Sequence, residues 1–274
     1  MDLLVVGGSG LLGGEITRQA RLADFRVTAT FWTRPTPVIG ADSCRLDVRR
    51  RDDVTALVGE VRPDVIINAA FRQSDWATTA DGGAHVGFAA AAAGVRLVHV
   101  SSDAVFSGAA VTYDETCLPD PATAYGAAKA AAETAVKAMT PAAVIVRTSL
   151  IIGNGASQHE KRAHELASGS RNGVLFTDDI RCPVHVSDLA SGVLELALSS
   201  HIGVHHLAGS DAISRYDLGV LIARRDGLDP SRLPAGLRAE TGASGPVDVR
   251  LDCTRSQAKL TTRLRGAREF LACG

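Results

Sequence analysis

The sequence is short of several features that would otherwise decide its class. Its five cysteines, Cys44, Cys117, Cys182, Cys253 and Cys273, are odd in number, scattered and without a CxxC pair. That argues against a disulfide framework and against a zinc site, and fits a reducing cytoplasm. Neither sign of charge prevails, and a formal net charge of -1 gives no basis for nucleic-acid or membrane affinity. No apolar run approaches the roughly 20 residues that cross a bilayer, and no charged-then-apolar leader precedes Val5, so a cytoplasmic protein is expected. Aromatic residues are scarce, as suits an alanine-rich soluble chain. No fixed-period repeat is present, which disfavours a solenoid. What remains is a chain of 274 residues. At that length roughly three quarters of the unfolded surface can be buried without covalent staples.

The first stretch, Leu3-Leu4-Val5-Val6-Gly7-Gly8-Ser9-Gly10-Leu11-Leu12-Gly13-Gly14, is a short apolar run that breaks into glycines. An uninterrupted apolar run bounded by glycine suits a strand of a parallel sheet buried on both faces. Leu12, Ile16 and Ala20 then recur every four residues with Glu15, Arg18 and Arg21 between them, the pattern of a helix packed on that sheet. Gly7, Gly10 and Gly13 fall in a GxxGxxG spacing between strand and helix. The first permits a tight turn, the second lets backbone approach a pyrophosphate, and the third lets the helix lie close to the strand. The free N–H groups of the helix start, at Leu11 and Leu12, face the anion. A nucleotide site is expected here.

Further strands follow. Arg26 to Phe31 is β-branched and apolar, and ends near Trp32-Thr33-Arg34. A fold that prefers NAD places an acid at this point, whereas an arginine accommodates a 2′-phosphate. No acid lies between Val27 and Gly40, and Arg34 is available, which favours NADP over NAD. Cys44 to Val48 reads as the next strand end. There Asp47 has two uses open to it, accepting from an adenine amine or capping the helix that begins near Arg49. Asp64 to Ala70 runs into the small residues Asn68-Ala69-Ala70, room for a cofactor ribose, and Thr79 to Ala93 reads as a helix. Val95 to Val100 is a strand ending in Ser101-Ser102-Asp103. In open parallel sheets ligands collect at the carboxyl ends of the strands, so chemistry is expected along this edge.

Ala124 to Glu133 is helical by its alanine content, and Tyr125 and Lys129, four apart, share one of its faces. A free tyrosine has a pKa near 10 and is a poor proton donor or acceptor at neutral pH, but a fixed ammonium beside it lowers that value. Ser102 can supply a hydroxyl to polarise a carbonyl. These residues, with the Gly7 loop, resemble an extended short-chain dehydrogenase/reductase and, within that group, the dTDP-4-dehydrorhamnose reductases. The resemblance rests on Gly7 to Gly13, Asn68-Ala69-Ala70, Ser101 to Phe106 with Gly108, Tyr125 to Lys129, Arg147-Thr148-Ser149 and Pro183 to Ala190.

The resemblance implies an α/β fold: a Rossmann-type doubly wound parallel sheet over residues 1–150 and a smaller substrate lobe over 151–274, with the chain crossing between them. It implies an NADPH-dependent reduction of a keto group on a sugar nucleotide. Tyr125 is then the proton donor, Lys129 the residue that binds the nicotinamide ribose and tunes Tyr125, and Ser102 the group that orients the carbonyl. The cofactor set is Gly7, Gly10, Leu11, Leu12, Gly13, Arg34, Asp47, Val48, Asn68, Ala69, Ala70, Tyr125 and Lys129. Asp103 and Arg181 are assigned to the substrate, and a homodimer is the assembly considered. The chain departs from the pattern where Ala104, Thr79 and Gly245 replace a tyrosine, an asparagine and an arginine. Those changes bear on the substrate more than on the Tyr/Lys pair. Phe31 to Pro35 and Leu251-Asp252-Cys253 are also similar to the regulatory beta subunits of methionine adenosyltransferase, which share the fold as partner proteins. An epimerase or dehydratase that holds NAD tightly is a third reading. The second half is expected to hold short strands at Val174 to Phe176 and Pro183 to Val186, a helix capped by Ser187 or Asp188, and one preceded by Ser214. His159, His164, His205 and His206 show no metal-ligand spacing and read as surface residues.

Overall fold

The computed structural model describes residues 1–35, 38–242 and 245–272. Seven parallel strands form the central sheet: β1 (Asp2–Val6), β2 (Arg26–Phe31), β3 (Asp42–Arg45), β4 (Val65–Asn68), β5 (Arg96–Val100), β6 (Val144–Arg147) and β7 (Gly203–His206). They lie in the order β7-β6-β5-β4-β1-β2-β3, so the direction of winding reverses between β1 and β4. A crevice opens at that switch, beyond the carboxyl ends of the strands.

The strand sequences explain the layering. Successive side chains of β1 point to opposite faces: Leu3 and Val5 join one apolar cluster, Leu4 and Val6 the other. The first face is covered by α1 (Leu11–Leu22) and α6 (Val186–Leu198), through Ile16, Leu189, Val193 and Leu196. The second is covered by α2 (Arg51–Val61), α3 (Gly82–Ala93) and α4 (Ala124–Met139), through Val54, Val86 and Val136. Each fully buried Leu, Ile or Val contributes about 1.5–3 kcal/mol, which makes the two-sided sheet the dominant stabilising feature. The chain returns to this sheet late: α6 packs on α1, with Gln19 Nε2 donating to the Ser187 carbonyl at 2.9 Å, and β7 adds the strand next to β6. Before and after these returns lie α5 (Gln158–Ser168), α7 (Arg215–Arg225) and paired two-residue strands, among them Ile180–Arg181 against Ile213–Ser214.

Several local expectations need correction. His205 and His206 are fully buried rather than on the surface, because β7 is part of the main sheet; His206 Nδ1 donates to the Asp252 carbonyl, 3.1 Å away. His159 is half-buried, and burial pushes its pKa down to about 3. Helix α6 is capped neither by Ser187 nor by Asp188 but by His185, whose ring accepts from the Ser187 N–H at 3.2 Å. The third strand stops at Arg45, so Leu46 to Val48 belong to the connection that follows it. Cys44, Cys117, Cys182 and Cys253 are free thiols; Cys273 lies outside the described residues. Among the described residues no helix is long and apolar enough to cross a membrane, and no cluster of three or more His, Cys, Asp or Glu is placed to hold a metal ion.

Candidate active site

The glycine turn has the geometry its spacing suggests. Gly7 has a φ of +85°, and a Cβ there would lie 2.7 Å from the Ala70 nitrogen, so both the conformation and the approach of β4 require glycine. A Cβ on Gly13 would lie 2.2 Å from the Gly7 carbonyl oxygen, which is how α1 comes to lie so close to the end of β1. Gly10 differs: its nearest neighbour to a built Cβ is the Gly7 oxygen at 3.4 Å, so the space it leaves open is not filled by the protein. Gly10 is the N-cap of α1 and no side chain caps that helix, which leaves the N–H groups that begin at Leu11 and Leu12 to an incoming anion.

The other residues expected to meet a cofactor lie at or follow the ends of β2, β3 and β4. Asn68 is buried at the end of β4; its side-chain oxygen accepts from the Ala70 N–H at 3.1 Å and its amide faces His99 Nδ1 at 3.2 Å. Ala69 and Ala70 are half-buried beside Gly7. At the β2 end Arg34 is exposed, while the Trp32 ring meets Arg45 and Arg49, whose guanidinium carbons lie 4.4 and 5.4 Å from its centroid. Asp47 is clasped by Arg49 at 2.7 and 2.8 Å, and that guanidinium holds its carboxyl below the usual range. Val48 is buried, and its carbonyl is 2.9 Å from His85 Nδ1.

Tyr125, Lys129 and Glu133 follow one another along a single face of α4, four residues apart. Thr123 caps that helix by accepting from the Gly126 N–H at 3.1 Å. Lys129 is buried, and its ammonium donates to the Val100 carbonyl at 2.9 Å. Burial pushes its pKa down to about 8, against a smaller upward pull from Glu133. Ser102 lies two residues beyond the end of β5: its hydroxyl donates to Asp103 Oδ1 at 3.2 Å and accepts from the Ala104 N–H at 3.2 Å. The expectation that Lys129 lowers the phenol's pKa is reversed. Burial raises the Tyr125 pKa well above its ordinary value, with the Ser102 hydroxyl pulling the other way and the Asp103 charge adding to the rise. The phenol therefore keeps its proton at neutral pH.

Asp103 and Arg181 are largely engaged inside the protein. Asp103 accepts from Ser149 Oγ at 2.6 Å and lies 3.7 Å from the Arg181 guanidinium. Arg181 also pairs with Asp179 at 2.9 Å and donates to the Pro246 carbonyl at 2.7 Å. Asp179 in turn meets Arg215 at 3.4 Å and Arg238 at 2.7 Å. Through Arg215 and Arg238 this chain of charges reaches a cavity of about 470 Å³ in the second half, whose lining also includes Lys161, Arg162, Arg171 and Phe176.

Two supports of the site are given no role by the sequence. Glu133 and Arg147, each 1% exposed, form a buried pair at 2.8 Å, and Ser101 donates to Glu133 at 2.6 Å. Burial alone would raise the Glu133 carboxyl, but the Arg147 guanidinium outweighs it and holds it down. The signals for this pair were an acid one turn beyond Lys129 and an arginine closing the apolar run of β6. The other support is Phe71, whose ring lies 5.9 Å from that of Tyr125 and 5.2 Å from the Lys129 ammonium.

A parallel sheet with this winding, a glycine turn at its switch point and a Ser/Tyr/Lys set on the same edge define a Rossmann-type protein of the extended short-chain dehydrogenase/reductase kind. More particularly, the chain belongs to the RmlD substrate binding domain family, which it matches over residues 1–272. It is similar to a probable dTDP-4,6-dihydroxy-2-methyloxan-3-one 4-ketoreductase of Streptomyces antibioticus, 33% identical over 260 residues, which are 89% of this chain and 82% of that protein. It is also similar to the methionine adenosyltransferase 2 subunit beta of Rattus norvegicus, 26% identical over 273 residues, 92% of this chain and 80% of that one. Among solved structures, the dTDP-4-dehydrorhamnose reductase of Bacillus anthracis in complex with NADP superposes with a TM-score of 0.84 at 22% identity, covering 98% of this chain and 96% of that one. The relatives thus include proteins named as keto-reductases and one named as a subunit of another enzyme.

Proposed function

We propose that the protein is an NADPH-dependent reductase of a keto group on a sugar nucleotide. What supports this reading is that Ser102 meets Tyr125, that Phe71 touches both Tyr125 and Lys129, and that Ala70, the residue before Phe71, packs on Gly7. NADPH, when bound, supplies the hydride. Gly7, Gly10 and Gly13 with the start of α1 hold its pyrophosphate, Asn68 to Ala70 border its ribose, and Arg34 meets the 2′-phosphate; the open space at Gly10 and the uncapped helix fit such a group. Tyr125, kept protonated by burial, gives its proton to the carbonyl oxygen as that oxygen gains charge. Ser102 orients the same oxygen, and Lys129 places a positive charge beside the phenolate that forms. The cavity reached through Arg215 and Arg238, where five cations outnumber Asp179 and Glu165, suits the anionic part of a sugar nucleotide.

The test is a panel of keto sugar nucleotides mixed with the purified protein and NADPH, followed by absorbance of the reduced cofactor. Oxidation with at least one substrate is expected. Tyr125→Phe should lose about 10²–10⁴-fold in turnover while still binding NADPH, the range a positioned general acid supplies. Wild-type turnover in that variant overturns the assignment. Absence of turnover with the whole panel, together with tight NADPH binding and co-purification with a second enzyme, favours the partner-protein reading suggested by the subunit beta relative.

A further inference from the structure

Phe71 stands immediately after Asn68-Ala69-Ala70, where the relevant edge of the sheet meets the crevice. It is 52% exposed, and the chain just after it is pinned. The buried Thr79 hydroxyl donates to the carbonyl of the next residue, Arg72, at 2.8 Å and accepts from the same residue's N–H at 3.0 Å. The ring this clamp presents touches both members of the pair on α4: Tyr125 by a tilted ring contact at 5.9 Å and Lys129 by its face at 5.2 Å.

We propose that Phe71 is a positioning residue of this site, its π face keeping the buried Lys129 ammonium charged and beside Tyr125. The idea rests on the reading that Tyr125 and Lys129 carry the proton chemistry. Lys129 is only 2% exposed, so it has little water to stabilise its charge, and among the described residues a single backbone carbonyl, that of Val100, accepts from it. Around it α4 presents Tyr125 and Glu133, β5 presents His99, the turn after β5 presents Ser102 and Asp103, and β6 brings Arg147 up behind Glu133. Glu133 is committed to Arg147 and Ser101, and His99 is neutral at ordinary pH, its pKa pushed down to about 3 by burial. The aromatic face is the remaining partner of the ammonium. A cation held over a ring away from water is stabilised enough to move a titration midpoint by roughly half to one and a half pH units.

The chain has four lysines, Lys129, Lys137, Lys161 and Lys259, so isotope-labelled lysine gives an NMR titration in which Lys129 is readily assigned. Phe71→Leu keeps an apolar side chain over the ammonium and removes the π face; Phe71→Tyr and Phe71→Trp keep the face. The expected result is a Lys129 midpoint about one pH unit lower in the leucine variant and close to wild type in both aromatic variants, with the other three lysines unmoved in all. The alkaline limb of the kcat profile should move with it. An unchanged or raised midpoint in Phe71→Leu, or a tyrosine variant that falls as far as leucine, overturns the proposal. Unmoved control lysines report that the variant is folded, and Phe71→Met repeats the test should leucine misfold. The midpoint is read without any turnover. A protein that reduces no keto sugar but shows this pattern loses the reductase reading alone.

Discussion

The Cα of Gly126 lies so close to the carbonyl of Ala104 that a built Cβ would be 2.0 Å from that oxygen. This contact joins the first turn of α4 to the short turn after β5, and so sets Tyr125 against Ser102. A methyl group at Gly126 must push the two turns apart. Gly126→Ala is expected to cost about 1–3 kcal/mol of stability, as overpacking does. It should also lower turnover by more than tenfold, because a displacement of about 1 Å is costly to proton transfer. Urea unfolding and kcat with the best substrate check it, and an alanine variant with wild-type turnover refutes the link between this contact and the chemistry.

The Glu133–Arg147 pair supports α4 from the opposite end of the same face. Removing one partner of a buried pair leaves the other charge uncompensated, at a cost of about 3–5 kcal/mol, whereas replacing both with apolar groups of similar size costs much less. Arg147→Met alone should therefore unfold at far lower urea than Arg147→Met combined with Glu133→Leu. A double variant no more stable than the single one would show that the pair acts through its other bonds, to Ser101 and to the Cys117 carbonyl, rather than through its charge.

How far the sequence revealed this arrangement depends on how local each feature is. The Gly7 turn, the strand and helix around it, and the spacing of Tyr125 and Lys129 were legible because each is a short-range pattern with one geometric solution. The burial of His205 and His206 was not, because nothing near them signals that β7 returns to the sheet beside β6, some sixty residues earlier in the chain. The pKa of Tyr125 was misjudged for a related reason: the lysine four residues away is visible in the sequence, but the burial that dominates comes from segments far along it. Arg181, assigned to the substrate from the resemblance, is engaged by Asp103, Asp179 and the Pro246 carbonyl, partners up to 78 positions away. Phe71 gave no signal because a lone aromatic after a strand has no period to betray its role.

Arg34 is the exposed guanidinium at the end of β2, whereas nearby Arg49 is already bound to Asp47 and stacked with Trp32. A charge-assisted bond to a phosphate is worth about 1.5–3 kcal/mol. Arg34→Ala should thus weaken NADPH by roughly 10–100-fold and leave NADH, which lacks the 2′-phosphate, nearly unchanged. Fluorescence titration with both cofactors decides it: equal losses for the two would place Arg34 outside phosphate recognition, and no loss for either would remove it from the site.

The buried histidines predict how the fold responds to acid. His99 has its pKa pushed from 6.5 down to about 3, first by burial and then by Lys129. Its neutral ring faces the Asn68 amide, while Nε2 finds no hydrogen-bond partner among the described residues. Because the folded value lies below the unfolded one, the unfolded chain binds the extra proton between about pH 6.5 and 3, so the stabilising contribution is complete above that window and is lost as pH falls through it. At about pH 4.5 this single group removes about 2–3 kcal/mol. His159 and His206, lowered to about 3 and about 4, act in the same direction. His99→Gln can still accept from Asn68 and does not titrate, so its unfolding free energy should fall less steeply than that of wild type between about pH 6.5 and 4.5, by about that amount. Parallel stability curves for the two proteins across this range would mean that His99 is protonated as easily in the folded state as in the unfolded one, and that its burial beside Lys129 carries no electrostatic cost.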